Sequence, residues 1–214
     1  MMSCNNPYQS TSLFVYREMV EGDIEKLSYK LQELGVYIIQ IRNWYFSRDF
    51  FRQGLRDRRL NVLLALCDNN IIGWTIAIQE SRSFWLSFMA LHPVWGVRIA
   101  YRKLQAIFAS SCSVVALNEL RSSSATLAGA ACSDVPMPHE VAAHIDISVA
   151  SDFRRLGVAS ELQRLQLKSL KAKGIKRITA SIAEWNTQSR QLHEKYGWNF
   201  HHVVGGQWQI SKDL

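Results

Sequence analysis

The sequence predicts a mixed α/β fold: a central, mostly antiparallel sheet holding one parallel pair of strands, with helices on both faces. Three observations carry that expectation. Ile145-Asp146-Ile147-Ser148-Val149 alternates apolar and polar residues as a strand does, and it leads through a short basic turn into Ser160 to Leu167, where leucines recur at helical spacing. A second run, Lys176 to Ala183, follows that helix, so the unit reads strand, loop, helix, strand with its two strands parallel. Upstream, the aliphatic run Leu60 to Cys67 and the run Ile71 to Gln79 flank Asp68-Asn69-Asn70, a turn tolerant of positive φ, which marks an antiparallel hairpin.

With 214 residues, 48% of them hydrophobic, the chain can bury one good core. A single domain over 1–214 is expected, with a helical and loop insertion at about 83–139 and a polar tail over 1–11. The net charge of +7 favours an acidic partner: a nucleotide-like cofactor, nucleic acid or an anionic membrane surface. Cys4, Cys67, Cys112 and Cys132 are scattered, without a Cys-x-x-Cys pair, which argues against a zinc finger or a disulfide framework and for reduced thiols in a cytoplasmic protein. The first twelve residues lack the apolar stretch of a secretory signal.

Taken in order, Leu13 to Tyr16 is a short strand, and Ile24, Leu27, Leu31 and Leu34 mark a helix with Asp23 in its first turn and Gly35 as its stop. Val36 to about Leu55 reads as a second helix, with a strand as competitor because of its aromatics; Trp44, Tyr45, Phe46, Phe50 and Phe51 read as core rather than as a substrate wall. Arg56 to Arg59 is a charged turn before the hairpin. Phe84 to Ala109 is long and apolar, but Arg98, Arg102 and Lys103 interrupt it and Pro93 and Gly96 break it, so two amphipathic helices are expected instead of a membrane span. Three readings of that segment stay open: an insertion packed on the core, a surface gripping an apolar acceptor or lipid, or a homodimer interface.

Asn118 to His139 turns small and polar, as a loop does. Glu140 to Val149 is then a strand, and Ser160 to Lys173 a helix closed by Gly174 in a left-handed cap. Asn186 starts a last helix at Thr187 and Gly197 ends it. Trp198 to Val204 and Trp208 to Ser211 form a closing hairpin across Gly205-Gly206. His201 and His202 are adjacent on a strand and point to opposite faces, so no metal site is expected there.

The chemistry gathers around Arg154-Arg155-Leu156-Gly157-Val158-Ala159-Ser160. Amides at a helix N-terminus have no partners inside the helix and face an incoming anion. Two arginines add charge-assisted hydrogen bonds, and Gly157 lets the backbone approach a phosphate. These residues fit Arg/Gln-x-x-Gly-x-Gly/Ala, which resembles the pyrophosphate loop of the GNAT N-acetyltransferase superfamily. Asn186 and the helix ending Leu192-His193-Glu194-Lys195-Tyr196-Gly197-Trp198 resemble that family's second hallmark, an Asn followed by a helix ending Leu-Tyr-x-Lys-x-Gly-Phe. The resemblance runs over about 12–212 and is strongest from 140 to 200. Minimal members lack the aromatic insertion, while a group of relatives resembles it, between the third and fourth strands.

The resemblance implies that the loop from Arg154 to Ser160 holds the diphosphate of acetyl-CoA, that the backbone of Ile147, Ser148 and Val149 pairs with the pantetheine arm, and that Asn186 bonds the same arm. Where the family places its tyrosine acid, this chain has His193, a residue able to donate a proton when charged, to hold a water or simply to fill the space, with Tyr196 three residues on as the substitute acid. Positions matching the family's base, Ala143 and Ile145, are apolar; His144 and Asp146 stand one place off and come round only through a bulge. Otherwise Glu140, His139 or a water chain serves, or the amine arrives already neutral. The implied reaction is transfer of the acetyl group from acetyl-CoA to a primary amine by direct attack in a ternary complex, without a metal. A small-molecule acceptor such as an amino sugar is favoured. The alternatives are a longer acyl group from CoA or a carrier protein, a protein lysine or charged RNA as acceptor, and a CoA-binding sensor without turnover.

Overall fold

The computed structural model describes residues 14–34, 44–95, 97 and 138–214. The polar tail, the Gly35 stop, the start of the expected second helix, the second amphipathic helix and nearly all of the 118–139 loop lie outside those residues. The described chain forms β1 (Val15–Glu18), α1 (Ile24–Glu33), α2 (Trp44–Arg56), β2 (Leu60–Cys67), β3 (Asn70–Gln79) and α3 (Ser81–Leu91). It continues with β4 (Val141–Val149), α4 (Val158–Ala172), β5 (Arg177–Ala183), α5 (Thr187–Lys195), β6 (Asn199–Val204) and β7 (Gln207–Asp213). Seven strands make one sheet in the order β1-β2-β3-β4-β5-β7-β6. Every neighbouring pair is antiparallel except β4 and β5.

Both hairpin expectations hold for the physical reason given. Asp68 and Asn69 sit at φ of 49° and 61°, and Gly205 and Gly206 at 56° and 73°, so each two-residue turn has the left-handed pair that matches the twist of its strands. β2 is buried along its whole length because helices cover both faces. Val62, Leu64 and Leu66 join Trp74, Ile76 and Ile78 under α1, α2 and α3, whereas Leu63, Ala65 and Cys67 face Val158 and Leu162 of α4.

The aromatic residues of α2 and α3 are core, as the sequence reading of Phe46, Phe50 and Phe51 had it. Phe46, Phe50, Phe84 and Phe88 are fully buried, and their rings meet edge-on or stacked at centroid separations of 5.4 to 6.2 Å. Trp44 and Tyr45 are the exceptions: Trp44 is half-buried outside the core cluster and Tyr45 stays exposed. α3 is therefore the first of the expected amphipathic helices, and its Phe84 and Phe88 seal one side of the sheet rather than forming a free apolar surface.

Two glycines set how closely these layers approach. A Cβ on Gly73 of β3 would stand 3.0 Å from the Ser148 carbonyl oxygen and 3.4 Å from Leu162 Cδ1, so its absence lets β3, β4 and α4 close on one another. On α2, a Cβ at Gly54 would overlap Leu60 Cγ and Cδ1. Gly54→Ala gains about 1 kcal/mol of helix propensity, but the overpacking outweighs it at about 1–3 kcal/mol. A lower urea midpoint at unchanged m-value is the expected result.

Candidate active site

β4 and β5 pair over only three positions, Val141↔Arg177, Ala142↔Ile178 and Ala143↔Thr179. β4 stays joined to β3 as far as Val149, so from His144 onward its other edge has no ladder partner among the described residues. The strands diverge and a cleft of about 1210 Å³ opens between their carboxyl ends, where open α/β sheets hold ligands. Ile147, Ser148 and Val149 line it from β4, Arg154 to Ala159 from the loop and α4 with the exception of Leu156, and Asn186 and His193 from α5.

The loop turns sharply. Ser151–Phe153 is a short 3-10 turn, Arg155 adopts φ of 64° and Gly157, the N-cap of α4, adopts 82°. A Cβ on Gly157 would meet no protein atom within 4 Å, so glycine is required here for the left-handed backbone rather than for room inside the chain. α4 begins at Val158, two residues before the sequence pattern placed its start, because Val158 is already buried under the sheet. The amides of Val158, Ala159 and Ser160 thus form the open first turn. Arg154 Nε donates to the Val149 carbonyl at 3.0 Å, which pins the guanidinium across the end of β4. Leu156 points to solvent, 58% exposed. Lys195 Nζ lies 3.5 Å from Ser160 Oγ and adds a cation the sequence reading did not assign, although it stands in the second motif.

Asn186 caps α5: its Oδ1 accepts from the Ser189 amide at 3.1 Å, which leaves the donors of the side-chain amide nitrogen unused by the cap, and the residue lines the cleft. At the floor of the cleft, His144 and His193 stand with ring centroids 5.5 Å apart, and the Trp198 ring lies 4.8 Å from that of His193. His193 Nδ1 is 2.7 Å from the Ser189 carbonyl oxygen, which can only accept, so the ring proton sits on Nδ1 and Nε2 carries a lone pair. His193 Nε2, His144 Nδ1 and Trp198 Nε1 are all buried without a hydrogen-bond partner among the described residues. Burial lowers the His193 pKa, and burial followed by the neighbouring His193 lowers that of His144 to about 3. Both imidazoles are neutral at pH 7.

β4 does contain a bulge. Ile76 pairs with Asp146 and Ala77 with His144, which leaves Ile145 as the extra residue. Its effect is selective. Ile145 packs into the aromatic core and Asp146 comes round to that same side, where Oδ2 accepts from Trp74 Nε1 at 2.6 Å and from Ser148 Oγ at 3.0 Å. His144 stays on the opposite side with His193, so the two candidate bases part company. Asp146 keeps a partial opening to the cleft while protein crowds it elsewhere. That crowding raises its pKa to about 6, against the opposing pull of the Trp74 and Ser148 hydrogen bonds.

Tyr196 is not among the residues lining the cleft: its hydroxyl donates to the Ser160 carbonyl at 2.6 Å and ties the end of α5 to the first turn of α4. Glu140 forms an ion pair with Lys176 at 2.7 Å, away from the cleft lining, and His139 is likewise not part of that lining. Among the described residues no cluster of three or more His, Cys, Asp or Glu could hold a metal, and no helix is long and apolar enough to cross a membrane. Trp74 and Trp185, besides Lys195 and Trp198, are residues sequence reasoning missed; Trp74 is recognisable only once the bulge is known, and Trp185 only from its place directly before Asn186.

Comparisons with known proteins agree with this geometry. A PaiA N-acetyltransferase from Thermoplasma acidophilum, solved in complex with coenzyme A, superposes with a TM-score of 0.56 at 12% identity, over 94% of this chain and 99% of that one. A ribosomal-protein-alanine N-acetyltransferase from Brucella melitensis gives 0.56 at 13% identity, over 94% and 99%. An acetyltransferase structure from Acinetobacter baylyi gives 0.58 at 15%, over 96% and 95%. At these identities the likeness is one of fold. No curated protein matches the sequence. Residues 29–198, most of the chain, match the acetyltransferase (GNAT) family, and the chain belongs to it.

Proposed function

We propose that the protein transfers the acetyl group of acetyl-CoA to the primary amine of a small molecule by direct attack in a ternary complex. The observation that carries this reading is the divergence of β4 and β5 after Ala143↔Thr179, with a cationic loop and an open helix N-terminus at its mouth. A diphosphate suits the amides of Val158, Ala159 and Ser160 flanked by Arg154, Arg155 and Lys195. The free edge of β4 at Ile147 to Val149 suits an extended arm that pairs as an additional strand, with the Asn186 amide donating from the far side.

Asp146 is the base in this reading. It borders the cleft, and its proton affinity is set near neutrality, so it can take a proton from an arriving ammonium or from the adduct formed when the amine attacks the thioester carbonyl. His193 is not a standing acid at neutral pH, since burial opposes its charged form. Instead Nε2 of His193, Nδ1 of His144 and Nε1 of Trp198 form a seat for a water beside the departing sulfur. Negative charge growing on that sulfur raises the imidazole pKa and lets the pair collect a proton and hand it on. The thioester is already activated, so positioning and these two proton transfers suffice.

Two experiments test the assignment. Replacing Arg154 and Gly157 together by Glu places two negative charges at the diphosphate seat and is expected to abolish the thermal shift produced by acetyl-CoA; retained binding removes the reading. Asp146→Asn is expected to lower kcat/KM by about 10²- to 10⁴-fold and to erase the acidic limb of the pH profile, which in the wild type rises through about pH 6. The sign of the stability effect separates catalysis from folding. A carboxyl whose folded pKa lies above its ordinary 3.8 adds stability only when protonated, fully below 3.8 and lost as pH passes 6. At pH 7.5 the Asn variant should therefore melt no lower than the wild type.

A further inference from the structure

Trp185 has no structural task that the fold accounts for. It is 81% exposed, more than any other large apolar side chain among the described residues. No hydrogen bond, ring contact or cation–π contact engages it among those residues. Its backbone, by contrast, is fixed: the Glu184 amide donates to Gly206 O at 3.0 Å, the Asn186 amide to Ala183 O at 2.9 Å and the Thr187 amide to Trp185 O at 3.0 Å. The chain thus holds an indole in water on a firmly tethered turn. The same indole lines the cleft, at the carboxyl end of β5, immediately before the capping Asn186.

Exposing an indole forgoes a large burial energy, so a tethered, exposed one at a cleft mouth points to a flat partner that covers it. Position identifies that partner. In a ligand whose reactive end lies beside His144 and His193 and whose diphosphate meets Arg154 to Ser160, the nucleoside follows the diphosphate out to the open mouth, while the amine acceptor belongs at the reactive end. Trp185 borders that mouth from the β5 and α5 side, together with the amide side chain of Gln188. We propose that Trp185 is a stacking platform for the purine of the CoA nucleotide, making the cleft selective for the complete cofactor over a bare phosphopantetheine thioester. Base stacking on an aromatic ring tolerates any purine face and needs no hydrogen-bond readout. This inference rests on the CoA reading above.

The test uses the full-length chain with CoA and with adenosine 3′,5′-bisphosphate, the nucleotide portion alone. Binding of the bisphosphate is expected to quench tryptophan fluorescence in the wild type, and the quench should vanish in Trp185→Phe although the other six of the seven tryptophans remain. Stacking is worth about tenfold in affinity or more. Trp185→Leu, apolar but not flat, should weaken both ligands by about that factor, while Trp185→Phe stays within about threefold. Because the side chain is exposed, both variants should melt like the wild type. The platform is overturned if Leu binds CoA as well as Trp does, or if CoA binding weakens without any loss for the bisphosphate. If wild-type protein binds neither ligand, the CoA site itself fails and the platform falls with it.

Discussion

Backbone groups buried in a sheet need partners, and this sheet withholds them on purpose at one place. β4 and β5 share three residue pairs and then part, which exposes one edge of β4 inside an otherwise closed structure. Everything else near the cleft follows from that parting. α4 must start where β4 ends, its unsatisfied amides must face the gap, and α5 must lie across the opening with Asn186 at its head. A ligand that supplies strand-like hydrogen bonds along its length completes the sheet, whereas a compact one would leave the β4 edge bare.

Much of this was legible in the sequence because it depends on local rules. Left-handed residues at Asp68, Asn69, Gly157, Gly174, Gly197, Gly205 and Gly206 coincide with the turns read from composition, since positive φ is a property of single residues and their neighbours. Caps behave likewise: Asn186 begins α5 by bonding a main-chain amide three residues on. What was not legible depends on contacts across elements. The bulge at Ile145 leaves no local trace, because an alternating strand and a bulged one can share the same residue pattern. Only the partner strand β3 shows that one residue is extra, and with it that Asp146 and His144 serve opposite sides of the sheet.

The substitution of His193 for the tyrosine of the family pattern is clearer for the same reason. Read along the chain, a histidine looks like an acid with a convenient pKa. In place, it is tied through Nδ1 to its own helix, faces another imidazole, and is kept neutral by burial. Tyr196 has become a tether between α5 and α4. Of the aromatic run that invited a lipid or acceptor reading, Phe84 and Phe88 seal the core while Leu86, Leu91, Val94 and Val97 stay exposed.

The hydrogen bond from Trp74 to Asp146 joins two parts of the molecule that are usually thought of separately. Trp74 belongs to the buried cluster beneath α1, α2 and α3 that also holds Phe50 and Phe88, neither of which lines the cleft. The acid strength of a carboxyl in the cleft is therefore written partly into the far layer of the protein. Changing that layer would also change how tightly the Asp146 carboxyl holds its proton.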